Sequence, residues 1–444
     1  SKVAIDTMGA LYSEKKISAS LILAPKGVYD NWIKGEIPTH LPDNIPINMV
    51  RWTPSNSKKF QEEMKALVFD AFDGLIFVMN IEALSTPRGT KAAYMFMSKN
   101  PANIMIVDES TTIKNRKATR TKNIMMLAQD AKYRRILTGS PITKSPMDLY
   151  SQCAVLSTKA LGFKSYYAFQ NRYALVVKRS MGTRAFQEIV GYRRLDELNE
   201  KLDTFSNRVL KEDCLDLPDK VYIKRYVPLT DEQERMYKQM KKLALAKLES
   251  GELATTASVL TQIMRLQQIC CGFLQPDEGE IEVLDNNRLK ELLEITEELQ
   301  GKAIIWASYT HDIQQIASSL RDRFGPKAVA TYYGATPQDE RQEIVDKFQD
   351  PKSPLRFFVG QPRTGGDGIT LTAATTMIYY SNSYDLEIRL QSEDRAHRIK
   401  QENKVTYIDL VSPDTIDEKI LKALRSKIDL AGRVLGEEAK EWLV

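Results

Sequence analysis

The run Ile104-Met105-Ile106-Val107-Asp108-Glu109 decides the architecture. Four apolar residues without polar alternation describe a strand buried on both faces, the situation of a parallel sheet covered by helices. The run ends in two carboxylates, which therefore emerge at the carboxyl edge of the sheet, where α/β sheets bind ligands. Comparable runs flank it: Leu21-Ile22-Leu23-Ala24-Pro25-Lys26, Gly74-Leu75-Ile76-Phe77-Val78-Met79-Asn80 and Arg135-Ile136-Leu137-Thr138-Gly139-Ser140. Helical patterns fall at 3–12, 28–34 and 60–71, and a short strand fits within 44–52. Strands alternating with helices predict an α/β fold with Pro25-Lys26, Asp108-Glu109 and Thr138-Gly139-Ser140 on one edge.

From about 155 to 290 the rhythm breaks into helical runs rich in charge and aromatics, with Leu217-Pro218-Asp219-Lys220 as a crossing point. It returns at Lys302-Ala303-Ile304-Ile305-Trp306-Ala307 and continues at 328–333, 357–359, 376–380 and 405–410. A second parallel-sheet lobe therefore fills the last third. The boundaries expected are lobe one at 1–220, with a helical protrusion near 155–215, and lobe two at 221–444, with a protrusion near 230–290.

The totals agree. A chain of 444 residues is too long for one core, and 43% hydrophobic with 27% charged residues is ordinary for a globular protein. No apolar run approaches the ~20 residues of a membrane span. Ser1-Lys2-Val3-Ala4-Ile5-Asp6 lacks the basic head of a signal peptide. Cys153, Cys214, Cys270 and Cys271 lack metal-ligand spacing and read as reduced thiols of an intracellular protein. A charge of +5 permits a nucleic-acid partner without demanding one.

Two further stretches carry chemistry. Gln391-Ser392-Glu393-Asp394-Arg395-Ala396-His397-Arg398-Ile399-Lys400-Gln401 places two arginines three apart, on one face if the run is helical. Such a pair can neutralise charge building up on a polyphosphate. Upstream, Arg363-Thr364-Gly365-Gly366-Asp367-Gly368-Ile369-Thr370-Leu371 is a glycine-rich turn after a strand. Of Asp108 and Glu109, one can hold Mg²⁺ and the other polarise an attacking water. Each piece has a plainer reading: an acidic pair that caps a helix, an ordinary loop, or a solvated salt-bridge helix. His397 reads as a hydrogen-bonded structural residue. Taken in this order, the pieces are those expected of an ATP-driven motor.

Over nearly its whole length the chain resembles the Swi/Snf-type branch of superfamily-two helicases and translocases. Leu23-Ala24-Pro25-Lys26 with Asn31-Trp32 resembles motif Ia, and Val107-Asp108-Glu109-Ser110 with Ile113-Lys114-Asn115 resembles motif II and its tail. Leu137-Thr138-Gly139-Ser140-Pro141-Ile142 resembles motif III, and Ile304-Ile305-Trp306-Ala307-Ser308-Tyr309 resembles motif IV. Gly365 to Leu371 resembles motif V, and Gln391 to Gln401 motif VI. Thr111 stands where the family often has His, and Lys400 where Gly is usual. The family's Gly-Lys-Ser/Thr phosphate loop is matched only by Ser1 as its final residue, and the expectation is that its remainder precedes Ser1.

The resemblance implies two RecA-like lobes with helical protrusions, ATP and Mg²⁺ in the cleft between them, and DNA across both. It assigns Asp108 and Ser1 to Mg²⁺, Glu109 to the water, and Arg395 and Arg398 to the γ-phosphate. Ser1, Asp108, Asp367, Gly368 and Gln391 would bind nucleotide, and Thr138 and Ser140 would couple the two activities. Lys26, Asn80, Ser308, Thr336, Arg363 and Thr364 would contact DNA phosphates, double-stranded or branched. The basic runs Lys114-Asn115-Arg116-Lys117 and Arg193-Arg194 would add electrostatic hold, and the aromatic stretch 163–173 is a candidate wedge. The protein implied is a cytoplasmic monomer, or a nuclear one in a eukaryote. Its length favours a stand-alone motor over a nucleosome or protein-complex remodeller. A nucleic-acid-binding protein without hydrolysis is the remaining alternative.

Overall fold

Six small or apolar residues, Ala19–Ala24, form strand β1, and every one is buried. β2 (Asn48–Arg51), β3 (Leu75–Asn80), β4 (Asn103–Val107) and β5 (Tyr133–Ile136) join it in a parallel sheet of order β2-β3-β1-β4-β5. Alternate side chains feed two cores. Leu21, Leu23, Phe77, Met79, Met105 and Val107 point to one, and Ile22, Ala24, Ile76, Val78, Ile104 and Ile106 to the other. Burial on both faces is why these strands show no polar alternation. Gly74 enters β3 with φ +101, and a Cβ there would lie 2.0 Å from the Pro46 carbonyl oxygen. Only glycine fits such a turn.

The computed structural model describes residues 1–26, 28–55, 57–69, 74–181, 184–210, 214–249, 256–276, 279–365, 368–399 and 401–435. They fall into two units, each with its own sheet. Unit one comprises Ser1–Arg179 and Phe186–Asn207, together with residues 430–435 of the last helix. Unit two comprises Arg208–Asp429.

In unit one the helical segment after β1 runs from Tyr29 to His40 with a π-helical turn at Trp32–Glu36. The Ile37 N–H reaches back to the Trp32 carbonyl. Pro38 follows and has no N–H to offer a normal helical bond, so the wider turn absorbs the mismatch. Further on, the segment 155–215, expected to be helical, holds the helices Tyr166–Tyr173 and Leu195–Asp203 among its described residues. Between them lies a two-stranded ribbon of β6 (Ala174–Met181) and β7 (Arg184–Tyr192). Its β-branched residues on either side of a short connection favour strands over helix. The aromatic stretch is mainly core: Phe169 and Tyr173 are fully buried, with ring centroids 5.0 Å apart.

Unit two opens on β8 (Lys220–Tyr226). Helices Asp231–Glu249 and Thr256–Cys271 follow, then the short pair β9 (Phe273–Leu274) and β10 (Glu282–Val283). β11 (Lys302–Trp306), β12 (Val329–Tyr332), β13 (Phe357–Gly360), β14 (Ala374–Tyr379) and β15 (Val405–Val411) complete a parallel sheet of order β12-β13-β11-β14-β15-β8. Again two cores flank it, one around Ile305, Val359 and Ile378, the other around Trp306, Phe358 and Tyr407. β8 takes the outer edge beside β15 and begins at Lys220, the last residue of the segment read as a crossing point.

Candidate active site

In unit one the predicted residues sit at the carboxyl ends of neighbouring strands. Lys26 follows β1 and is exposed, while Asn80 ends β3 in register with Ala24. The Asp108 N–H bonds to the Leu23 carbonyl at 2.8 Å, carrying the β1–β4 pairing up to the first carboxylate. Both oxygens of that carboxylate are engaged. Oδ1 accepts the Glu109 N–H at 3.0 Å, and Oδ2 accepts the indole N–H of Trp32 at 2.8 Å. Glu109 holds φ +46 and ψ +60, a left-handed conformation that non-glycine residues seldom adopt. Backbone of this kind clusters at functional sites.

Beyond β5, the Leu137 N–H bonds to the Val107 carbonyl and the Ser110 N–H to the Leu137 carbonyl, which sets the third motif beside the second. The Thr138 hydroxyl accepts from the Ser140 N–H at 3.2 Å. Gln152, which no sequence motif singles out, joins the two motifs. Its Oε1 accepts from the Ser110 hydroxyl, and its amide donates to the Pro141 carbonyl at 2.8 Å. Ser1 starts the first helix, and its hydroxyl bonds to Glu36, which also accepts from Asn31 at 3.2 Å.

In unit two the arginines stand on a turn, which corrects the helical expectation for 391–401. The helix Leu386–Glu393 stops at Asp394. A continuing helix would use the carbonyls of Arg395 and Ala396 internally. Instead the former accepts from the Leu371 N–H at 2.8 Å, and the latter from the Gln401 amide at 3.0 Å. The arginines nevertheless converge on one loop. Nη1 of Arg395 lies 3.4 Å from the Ile369 carbonyl oxygen, and Nη1 of Arg398 lies 3.3 Å from Oγ1 of Thr370. Gly368 there has φ +81, with open space where a Cβ would stand. Gln391 is half-buried on the preceding helix. Asp367 lies outside the described residues.

Network residues that the sequence did not announce support this turn. Glu393 is fully buried, and Arg389 donates to it at 2.8 Å. Arg389 also reaches Asp409 and stacks 3.6 Å from the Tyr379 ring centroid. Burial alone would raise the Glu393 pKa, but the charges of Lys220 and Arg389 outweigh it and hold the carboxyl below its ordinary value. The signal was Arg389-Leu390-Gln391-Ser392-Glu393, an i,i+4 pair that usually faces solvent.

The residues expected on DNA divide. Ser308, Arg363 and Thr364 follow β11 and β13, and Arg363 is exposed. Ser308 is tied back to Ser381, and Thr364 to Gln361. Thr336 is buried; its hydroxyl donates to the Thr331 carbonyl and accepts from the Tyr333 N–H at 3.0 Å. In the basic runs, Lys114 bonds to Thr143, Arg116 lies 4.1 Å over the Tyr166 ring, and Arg193 donates to the Asn171 carbonyl.

One unit with paired carboxylates at a strand end and another with paired arginines on a loop have the architecture expected of superfamily-two motors. The model for the SNF2-related domain matches residues 4–273 and that for the helicase conserved C-terminal domain matches residues 285–400, and the chain belongs to the SNF2-related family. An uncharacterized ATP-dependent helicase of Mycoplasma genitalium is 25% identical over 434 residues, 96% of this chain and 38% of that protein. The chromatin-remodeling subunit snf22 of Schizosaccharomyces pombe is 29% identical over 352 residues, 74% of this chain and 20% of that protein. The Sulfolobus solfataricus SWI2/SNF2 ATPase core in complex with dsDNA aligns with a TM-score of 0.40 at 24% identity, over 98% of this chain and 86% of that one. The chain spans less than half the length of these two curated relatives. No helix among the described residues is long and apolar enough to cross a membrane.

Proposed function

We propose that this chain is the motor of an ATP-dependent DNA translocase or helicase that tracks double-stranded or branched DNA. The observation that carries the reading is the end of β4, where Asp108 is oriented by Trp32 and Glu109 is held in a left-handed conformation. The indole fixes the Asp108 carboxylate ahead of any substrate, as catalysis by preorganised charge requires, and the strained backbone sets the direction in which Glu109 leaves the strand.

In this reading Glu109 orients the water that attacks the γ-phosphate, and Arg395 and Arg398 stabilise the charge that develops on it. Ser1, Gly368, Asp367 and Gln391 contact the nucleotide. Asp108 fits Mg²⁺: each of its oxygens keeps acceptor capacity after its one hydrogen bond. No cluster of three His, Cys, Asp or Glu suited to a metal occurs among the described residues. In this reading the ion is held by one carboxylate and by substrate phosphates. When bound, Mg²⁺ would neutralise charge on the phosphate oxygens.

Lys26, Asn80, Ser308, Arg363 and Thr364 at strand ends would hold DNA through its phosphates, without regard to sequence. Thr138 and Ser140, joined to the second motif through Gln152, would relay nucleotide state to them. Thr336 would act by shaping its turn. The test is ATPase activity of the full-length protein with duplex DNA, single-stranded DNA, forked DNA or RNA. Stimulation by DNA over RNA is expected, and an identical rate with and without any nucleic acid would overturn the proposal.

A further inference from the structure

Within unit two, the segment that leads into β8 is fastened to the segment carrying the arginines. The Pro218 carbonyl lies 2.9 Å from Nε2 of His397. A carbonyl can only accept, so Nε2 carries the proton. Two residues on, Lys220 Nζ lies 3.0 Å from Oε2 of Glu393, and four residues on, the Tyr222 hydroxyl donates to the same oxygen at 2.8 Å. Glu393 closes the helix from which the arginine turn hangs, and Arg389 holds its other oxygen.

On its far side the turn is tied to the glycine-loop segment through Leu371 and through the Gln401 amide, which donates to the Thr372 carbonyl at 2.9 Å. His397 stands between these anchors, flanked by Arg395 and Arg398, and is buried.

We propose that His397 is a positioning residue: by donating to Pro218 it couples the path of the segment before β8 to the aim of Arg395 and Arg398. Movement of residues 214–219 is then felt at the guanidinium groups. The inference rests on the reading of those arginines as phosphate-contacting groups. A histidine serving only to fill space would, when replaced, lower stability without changing turnover per folded molecule.

The experiment compares His397→Leu, His397→Gln and Arg398→Ala in DNA-stimulated ATPase assays on the full-length protein. Nucleotide binding counts the folded molecules. The leucine fills the site without a donor, and the glutamine amide returns a donor at the Nε2 position. For His397→Leu, kcat should fall by about tenfold or more with KM for ATP unchanged, the pattern of an interaction made in the transition state. His397→Gln should recover most of the rate. If the leucine variant does not fold, His397→Asn takes its place, since its amide stops at the Nδ1 position and should be as impaired. Full turnover in the donorless variant, or equal loss with glutamine, overturns the inference. Full turnover in Arg398→Ala instead refutes the reading of the arginines.

Discussion

The indole nitrogen of Trp32 donates a 2.8 Å hydrogen bond to Oδ2 of Asp108. Trp32 is itself locked, 1% exposed, within the π-helical turn. Trp32→Phe keeps a buried ring and removes the donor. Groups that orient a metal-binding carboxylate are commonly worth about 10- to 100-fold in metal affinity or activity. The Mg²⁺ concentration giving half-maximal ATPase should therefore rise about tenfold. A Mg²⁺ titration superimposable on the parent's would rule the indole out.

Glu109→Gln preserves shape and the strained backbone but cannot accept a proton. Turnover should be abolished while nucleotide binding, followed by equilibrium titration, stays within about twofold of the parent, since ground-state contacts are retained. Hydrolysis at the normal rate would show that Glu109 is not the base.

Arg398→Ala and Arg395→Ala should each cut kcat, by roughly 10³ for a residue acting as an arginine finger. Arg395 is only 7% exposed, so its loss should also lower the thermal midpoint, whereas half-buried Arg398 should leave it nearly unchanged. Calorimetry beside steady-state kinetics separates the two effects, and near-normal rates in both variants would exclude the assignment.

Asp312 should impose a pH-dependent cost on unit two. It is fully buried, and His311 Nδ1 stands 3.8 Å from its Oδ1. Burial raises its pKa. Above the ordinary value near ~3.9 the unfolded chain has lost a proton that the folded one keeps, so stability falls as pH rises through that window. Asp312→Asn removes the ionisation. Its stability relative to the parent should improve steadily from pH 4 to pH 7, measured by urea unfolding. A constant difference would show that Asp312 does not titrate differently on folding.

The strands most legible in the sequence are those buried on both faces, such as β1, β3 and β4, because an unbroken apolar run of strand length is stable only where helices cover both sides of the sheet. β8 is not legible. Val221 and Ile223 are 38% and 40% exposed, so apolar residues of an edge strand face outward and the pattern misleads. The motifs fix which residues gather at the strand ends, but not what holds them. Trp32 and Asp108 are 76 positions apart, and no local spacing encodes their bond. Nor does spacing reveal that Leu371 and Gln401 draw off the carbonyls that would have continued the arginine helix.

β8 also constrains how the protein is made. Its pairing partner β15 runs from Val405 to Val411, so a ribosome delivers Lys220–Tyr226 long before the strand that completes its ladder. During that interval the backbone hydrogen-bonding groups of Lys220–Tyr226 travel on a nascent chain without their ladder partner. Pairing between such distant segments is slow, and an unpaired strand invites association with other chains. Synthesis of this protein should therefore draw on chaperones until its final strand emerges.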